Sequence, residues 1–447
     1  MIALVILALF GAKRYASGLF SDPSKAAAKS ALGGFAAPVE GGSAPALSPT
    51  EASLASGDTP LEWLAPMRNY PRPDTFSWKG DAVEADYAAD SLLTARVNVY
   101  LQRYRPETGV ILVSDLRTGH VLAIGEREDS VITGTPRLAY GGGYPAASLV
   151  KILTATAALE CKARELTDSI PQLGGHHTLY RRQLKLEGIR NIPRITLEEA
   201  FSRSVNPAFG VLGMSMGPAA LRATAERMGF NRAIMPAAAA RSRIEFPDTG
   251  FSLAETACGF TARTTISPWH ALQIARGAGD DGRLRPCTFV SRIRNLGTGQ
   301  DLALSPNAGP AFVSPANLPL LQSMMRATVR VGTSRKGFHQ ILRASHMDKI
   351  EAGGKTGSLD GEETRGRFDW FIGYVRLKDE PQTGLAFSIM LVHREYASIH
   401  ASAMAALIIR DWLGAHEKAL KAKTARQNVV RGTDAAINRT ANRSRAG

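Results

Sequence analysis

The chain has 447 residues, 44% of them hydrophobic and 21% charged, with a formal net charge of +14. That length excludes a small stapled scaffold and the composition excludes a disordered polymer; a large core is expected. Three cysteines, Cys161, Cys258 and Cys287, are too sparse for a disulfide framework or a metal centre and read as buried small hydrophobes.

Residues 1–15 hold an apolar run, Ile2 to Ala12, followed by Lys13-Arg14. A spanning helix needs about 20 apolar residues, and an export signal carries its charges before the run rather than after it. A truncated membrane anchor or signal and a plain buried segment both stay open. Residues 16–89 are rich in Ala, Ser, Gly and Pro and read as a linker, with Trp63 to Trp78 wrapping onto the folded body.

The globular part is expected over 90–414. Leu92–Tyr104 reads as a helix. Gly109–Val113 and His120–Ile124, joined by the turn residues Asp115 to Gly119, read as a hairpin. A glycine run, Gly141 to Gly143, leads into an apolar helix from Ser148 to about Glu165. His176-His177 sit in a loop and lack a spaced third ligand for a metal. Helices follow at Thr196–Arg203, after Pro207, and at Ala219–Met228, Pro268–Gly277 and Ser314–Val331. Strands return at Ile350–Ser358, Phe368–Val375 and Leu385–Val392, and a last helix covers Ser398–Leu413. The expected fold is α+β, an antiparallel five-stranded sheet flanked by helices with an inserted all-α subdomain. Residues 415–447 carry eight Lys/Arg against Glu417 and Asp434. They read as a solvated, disordered basic tail, with contact to anionic lipid, wall polymer or nucleic acid as the sharper alternative. Zinc-finger spacing and aromatic–basic RNA signatures are missing, so nucleic acid is not an expected partner. No metal or cofactor is expected.

Three short motifs bear chemistry: Ser148-x-x-Lys151, Ser204-x-Asn206 and Lys355-Thr356-Gly357. Ser148 and Lys151 are three apart on a helix and share one face. A serine needs an adjacent base to act as a nucleophile, and a buried lysine can be that base if desolvation leaves it neutral. The alternative for this pair is an N-cap serine with a snorkelling lysine. For Asn206 the alternative is a helix cap, and for Thr356 a strand surface. Ser-x-x-Lys and Lys-Thr-Gly occur once each, while Ser-x-Asn recurs in a Pro/Gly-rich turn at Ser305-Pro306-Asn307.

In this set and order the motifs resemble those of the penicillin-binding transpeptidase domain, a group of active-site serine DD-peptidases related to serine β-lactamases. The resemblance covers Asp90 to Leu413 and extends to Thr118–Ala123, to Gly259–Pro286, to Val331-Gly332-Thr333 and to Asp369–Tyr374. The sequence departs from the family at Ala146-Ala147, where Pro-Gly is usual, at Ala278–Gly282, which lacks the usual Asn, and at Ser358, where Thr is commoner. The resemblance implies that Ser148 attacks the penultimate D-alanine carbonyl of a peptidoglycan stem peptide and that Lys151 takes its proton. Ser204 would relay a proton to the leaving amine through Lys355, and Asn206 would face the substrate backbone and Lys151. Thr356 and Ser358, with Lys355, would hold the terminal carboxylate, and Gly357 would leave room for the acyl chain. The backbone N–H groups of Ser148 and Ser358 would form the oxyanion hole.

The resemblance further implies a bacterial envelope protein at the periplasmic face of the inner membrane, membrane-associated, with stem peptides, β-lactams and cell-wall synthesis proteins as partners. Residues 1–89 are too short and linker-like to hold a glycosyltransferase domain. A DD-carboxypeptidase, a β-lactamase, a β-lactam-sensing receptor domain and a non-catalytic scaffold are the alternatives. Against the β-lactamase, no Glu-x-x-Leu-Asn stretch lies between Asn206 and Lys355.

Overall fold

The computed structural model describes residues 65–66, 70–162, 165–304, 309–361, 366–394 and 396–443, with side chains up to 425. The expectations for 1–15, for most of 16–69 and for the Ser305-Pro306-Asn307 turn fall on residues outside this set. In chain order the first elements are β1 (Asp74–Trp78), β2 (Asp81–Tyr87), α1 (Ser91–Tyr104), β3 (Thr108–Asp115), β4 (Val121–Glu128) and β5 (Val131–Thr133). A single 3₁₀ turn, Ala147–Leu149, leads into α2 (Val150–Lys162). The middle of the chain holds β6 (Ser169–Pro171), α3 (Arg181–Leu184), β7 (Arg194–Thr196), α4 (Leu197–Ser202), α5 (Asn206–Met216), α6 (Pro218–Arg227), α7 (Gly250–Cys258), α8 (Pro268–Gly279) and β8 (Val290–Asn295). The last part holds α9 (Leu318–Arg330), α10 (Arg335–Ile341), α11 (Ala344–Lys349), β9 (Ile350–Asp360), β10 (Arg367–Leu377), β11 (Gly384–His393) and α12 (Ala401–Arg443).

The main sheet is antiparallel with the order β5-β4-β3-β11-β10-β9. It has six strands rather than five. The extra one, β5, has three residues paired to the end of β4, too short for an alternating pattern to announce it. β11 is buried along its whole length, and its side chains sort by period two. Leu385, Phe387, Ile389 and Leu391 enter one core with α1 and α12, while Ala386, Met390 and Val392 enter the other, with α2 and α8. Both faces of the sheet are therefore covered, in an α+β arrangement that joins the two ends of the fold through β3 and β11. Helix α8 has every residue buried, and begins with Ser267 accepting from the His270 N–H and Pro268 in the first turn.

Two stretches differ from the sequence-based expectation. Residues 74–87, placed in the linker, form the β1–β2 hairpin and pair with β8 in a second sheet. Buried Tyr87 donates to Asp74 Oδ2 at 2.6 Å, and Tyr70 donates to the Val121 carbonyl, tying this layer to the body. The basic end is not irregular chain: α12 continues the last helix to Arg443. The charge of that stretch says only that its face is solvated, and straight-chain Lys, Arg and Ala are good helix formers. Among the described residues all three cysteines are free; Cys258 and Cys287 are buried as expected, but Cys161, near the end of α2, is exposed, and no helix is long and apolar enough to cross a membrane.

Candidate active site

The segment that carries Ser148 is held from three sides. Ala146 N–H donates to the Thr264 carbonyl at 2.9 Å, and Trp370 Nε1 on β10 donates to the Pro145 carbonyl at 3.0 Å. Beneath the turn lies Gly259, the left-handed cap of α7 at φ +72°. A Cβ there would stand 1.9 Å from the Ala147 carbonyl oxygen, so only glycine allows this contact. Ala147 itself takes φ +48°, a left-handed conformation that costs a non-glycine residue about 1 kcal/mol. This is the position at which the sequence departs from Pro-Gly. The result is a tight turn in which Ala146, Ala147, Leu149 and Val150 are buried while Ser148 stays partly open to solvent.

Lys151 lies in the first turn of α2 and is fully buried. Its Nζ is 2.8 Å from Ser148 Oγ, 2.7 Å from Asn206 Oδ1 and 2.7 Å from the Cys258 carbonyl. Among the described residues no carboxylate pairs with it. Burial lowers its pKa from 10.5 to about 8, with the nearby Cys258 thiol acting in the opposite sense. The three contacts also satisfy a neutral amine. It would donate to Asn206 and Cys258 and accept from the Ser148 hydroxyl. The snorkelling alternative is therefore overturned. The capping alternatives fail as well: Ser148 caps nothing, and Asn206 lies inside α5, whose cap is Val205 without a side-chain bond.

Ser204 follows α4 in a left-handed conformation, φ +57°, and is buried. Lys355 on β9 reaches it: Nζ is 3.0 Å from Ser204 Oγ and 2.9 Å from the Thr356 carbonyl. Lys355 is fully buried, and desolvation, with the charge of Lys151 adding to it, holds its pKa well below the ordinary value. Thr356 Oγ1 shares a 2.6 Å hydrogen bond with Thr333 Oγ1, and Thr333 N–H donates to the Ser202 carbonyl at 3.0 Å. Thr333 thus bridges β9 to the Ser204 segment.

Gly357 has a packing reason beside the role that the resemblance implies. A Cβ on it would press within 3.3–3.4 Å of Ala146 O, Leu149 Cγ and Ala147 Cβ. Its bareness lets β9 lie against the Ser148 turn. Ser358 is exposed, and its hydroxyl accepts from Arg367 Nε at 2.8 Å.

The structure thus brings Ser148, Lys151 and Asn206 into one cluster, Ser204 and Lys355 into a second, and sets Thr356, Gly357 and Ser358 along β9. Two neighbours went unread in the sequence. One is the Cys258 carbonyl, a backbone group with no side-chain signature. The other is the loop around His176-His177. The His176 carbonyl accepts from Asn206 N–H at 2.6 Å, and the partly exposed His177 imidazole lies beside the Ser204 backbone. Its pKa is lowered by desolvation and then by the charges of Lys151, His176 and Lys355.

Residues 109–411 match the family model "Penicillin binding protein transpeptidase domain". The chain is 27% identical over 261 residues to peptidoglycan D,D-transpeptidase PbpA of Mycolicibacterium smegmatis, covering 54% of this chain and 49% of that protein. It spans about half or less of the length of the curated relatives it matches. In fold it is similar to penicillin-binding protein A of Mycobacterium tuberculosis in its penicillin G acyl-enzyme complex, at a TM-score of 0.58 and 19% identity over 74% of this chain and 80% of that one. It is likewise similar to penicillin-binding protein 3 of the same organism complexed with aztreonam, at a TM-score of 0.60 and 16% identity over 75% of this chain and 79% of that one. With the matched stretch covering more than half of the sequence, and the sheet and helices of this fold around it, the chain belongs to the penicillin-binding protein transpeptidase domain family.

Proposed function

We propose that the chain is a serine-type D,D-transpeptidase that cross-links peptidoglycan stem peptides through an ester on Ser148 and is acylated at the same oxygen by β-lactams. One observation carries the reading: a fully buried lysine without a carboxylate partner sits 2.8 Å from the hydroxyl of a partly open serine. With a pKa of about 8, about a tenth of Lys151 is neutral at pH 7. Neutral Lys151 takes the Ser148 proton as Oγ attacks the penultimate D-alanine carbonyl. The oxyanion is stabilised by the Ser148 and Ser358 N–H groups. The C–N bond then breaks, and the departing D-alanine amine takes, by way of the Ser204 hydroxyl that Lys355 holds, the proton that Lys151 removed from Ser148, which leaves Lys151 neutral again. An acceptor amine attacks the ester, loses its proton to Lys151, and restores the Ser148 hydroxyl by microscopic reversibility.

Lys355 supports a second task in this scheme. A lysine depressed by burial is neutral more readily, and a substrate carboxylate arriving beside it raises its pKa again. Binding of the stem-peptide terminus, with Thr356 and Ser358 as hydroxyl partners, is then linked to proton uptake at Lys355. Stem peptides lie outside the cytoplasmic membrane, which places the enzyme at the periplasmic face, membrane-associated and beside other wall-synthesis proteins. Transfer to an amine rather than to water fits the absence of any carboxylate bonded to Ser148 or Lys151 among the described residues.

Intact mass after benzylpenicillin is expected to show one adduct, mapped to Ser148 and missing in Ser148→Ala. Given polymerised pentapeptide substrate, the enzyme is expected to yield cross-linked dimers. Free D-alanine with tetrapeptide monomers alone would make it a carboxypeptidase, and rapid turnover of penicillin a β-lactamase.

A further inference from the structure

Strand β9 is an edge of the six-stranded sheet. An extended peptide added antiparallel along it, with its terminal carboxylate at Lys355, would run its upstream residues toward Gly361. The four residues upstream of the attacked bond cover about 13 Å of strand, which brings the outermost of them and its side chain level with Leu359, the partner of Phe368. At that end lies a cavity of about 590 Å³, lined by Gly142, Gly143 and Pro145 from the approach to Ser148, by Gly361 and Phe368 from the β9–β10 end, and by Arg241, Arg243 and Arg263.

The arginine wall is built on the same backbone that carries Ser148. Arg243 and Thr265 exchange two 2.9 Å backbone hydrogen bonds, Ile266 N–H donates to the Tyr144 carbonyl at 2.9 Å, and Ala146 N–H donates to Thr264. Arg241 and Arg243 are two apart on an extended segment and share a face. Arg263 is two residues before Thr265 on the neighbouring segment. All three are exposed. Among the described residues none of the three guanidiniums makes a hydrogen bond or ion pair, and Glu255 feels the charge of Arg263 without pairing to it. Three less exposed arginines elsewhere in the fold are engaged: Arg276 donates to three carbonyls, Arg285 pairs with Asp281 and Arg292 with Asp86. Three unpaired guanidiniums converging on one groove make a site for carboxylates, which they can bind bidentately.

We propose that this groove is a subsite for the side-chain or α-carboxylates of the donor peptide, two to four residues upstream of the bond that Ser148 attacks. The proposal rests on the function proposed above and deepens it. A free carboxylate on the peptide, rather than its amide, becomes a determinant of donor choice.

The test uses the full chain and two synthetic depsipeptide donors ending in D-Ala-D-lactate. One bears a free carboxylate three residues upstream, the other a primary amide there. Ester formation at Ser148 is followed by intact mass. The wild type is expected to use the carboxylate donor about tenfold more efficiently in kcat/KM. Arg241→Ala/Arg243→Ala, both exposed positions, is expected to fall to the amide level with both donors and to react with benzylpenicillin within about twofold of wild type. Arg243→Glu is expected to invert the preference toward a donor bearing lysine at that position. Equal use of both donors by the wild type, or an unchanged preference in both variants, overturns the proposal. So does competition by poly(glycerol phosphate) with equal use of the two donors, which would mark a phosphate-polymer site. A wild type that penicillin does not acylate removes the function itself, and is told apart from the groove's failure by that reagent, which does not reach the arginines.

Discussion

Two buried lysines face one cleft from opposite supports, and they are coordinated differently. Lys151, on a helix, has all three of its polar positions matched by Ser148, Asn206 and the Cys258 carbonyl. Lys355, on the edge strand, has two partners among the described residues, Ser204 and the Thr356 carbonyl. A filled shell fixes an amine in place for proton transfer and leaves it nothing else to bind. An unfilled shell leaves one N–H for an arriving anion. Among the described residues neither lysine has a carboxylate to keep it charged, so burial makes both proton-labile. The division of labour therefore follows from hydrogen-bond counts rather than from residue type.

The strongest way to break this contrast is to delete each amine. Lys151→Ala is expected to slow penicillin acylation by about 10²–10⁴ through the chemical step. Lys355→Ala is expected to lose about 10–10², mostly as weaker binding before acylation. Stopped acylation time courses at several penicillin concentrations separate the two terms. Matching losses in the same term would erase the distinction.

Next comes the support of the Lys151 half alone. Gly259→Ala puts a Cβ 1.9 Å from the Ala147 oxygen at a left-handed φ. A stability loss of about 2–4 kcal/mol is expected, together with at least tenfold slower acylation. Thermal melting and adduct mass read both. A variant that melts normally and acylates normally would show that the turn does not need its floor.

The pH profile sharpens the contrast further. Acylation needs neutral Lys151, so its rate should rise about tenfold per pH unit and level off above about 8. Burial lowers Lys355 in the same direction, and Lys355→Met reads its charge: a midpoint left in place means that Lys355 is already neutral when Lys151 titrates, and a midpoint that moves up means that it is still charged. Stability carries the same signature. Lys151 has a folded pKa below its unfolded one, so the unfolded chain binds more protons between about 8 and 10.5 and stability rises with pH across that window. Below about 8 the full penalty applies, on the order of 3 kcal/mol at about 1.4 kcal/mol per pH unit. Lys151→Met should flatten this rise in urea titrations run from pH 7 to 10.5.

The smallest effect expected is at Ala147. Ala147→Gly relieves a left-handed alanine worth about 1 kcal/mol but gives the unfolded chain more freedom, for a net gain of about 0.5 kcal/mol or less. A melting shift downward would show that the alanine methyl packs more than it strains.

Side-chain chemistry was legible in the sequence because its spacings are set by helix and strand geometry. Ser148 and Lys151 had to share a face, and Asn206 and Lys355 lay in motifs that could be counted. The strands that read as long apolar runs, β10 and β11, could be bounded to within two residues. What stayed hidden had no side-chain signal. The Cys258 carbonyl is one backbone group at the end of α7, a helix whose short amphipathic pattern was not picked out. β1 and β2 sit in a stretch whose prolines and exposed positions read as linker, and β2 pairs with β8, about 200 residues away. The packing of Gly357 against the Ser148 turn was not legible because a glycine's partner cannot be seen until the facing turn is in place. In the β9–β10 turn, Arg367 is engaged with Ser358 and Asp360.

The partners of Lys151 lie 55 and 107 residues from it, Lys355 meets Ser204 across 151, and Trp370 anchors Pro145 across 225. Contacts of such separation are slow to close and assemble late. β3, one of the earliest strands made, pairs with β11, among the last. A chain still on the ribosome therefore holds a serine and a lysine one turn apart but lacks the carbonyl, the amide and the second strand that make them reactive. Covalent labelling by penicillin is in this sense a completion signal: it should switch on only after residues through His393 have emerged and paired, and its onset during synthesis would time the closing of the sheet.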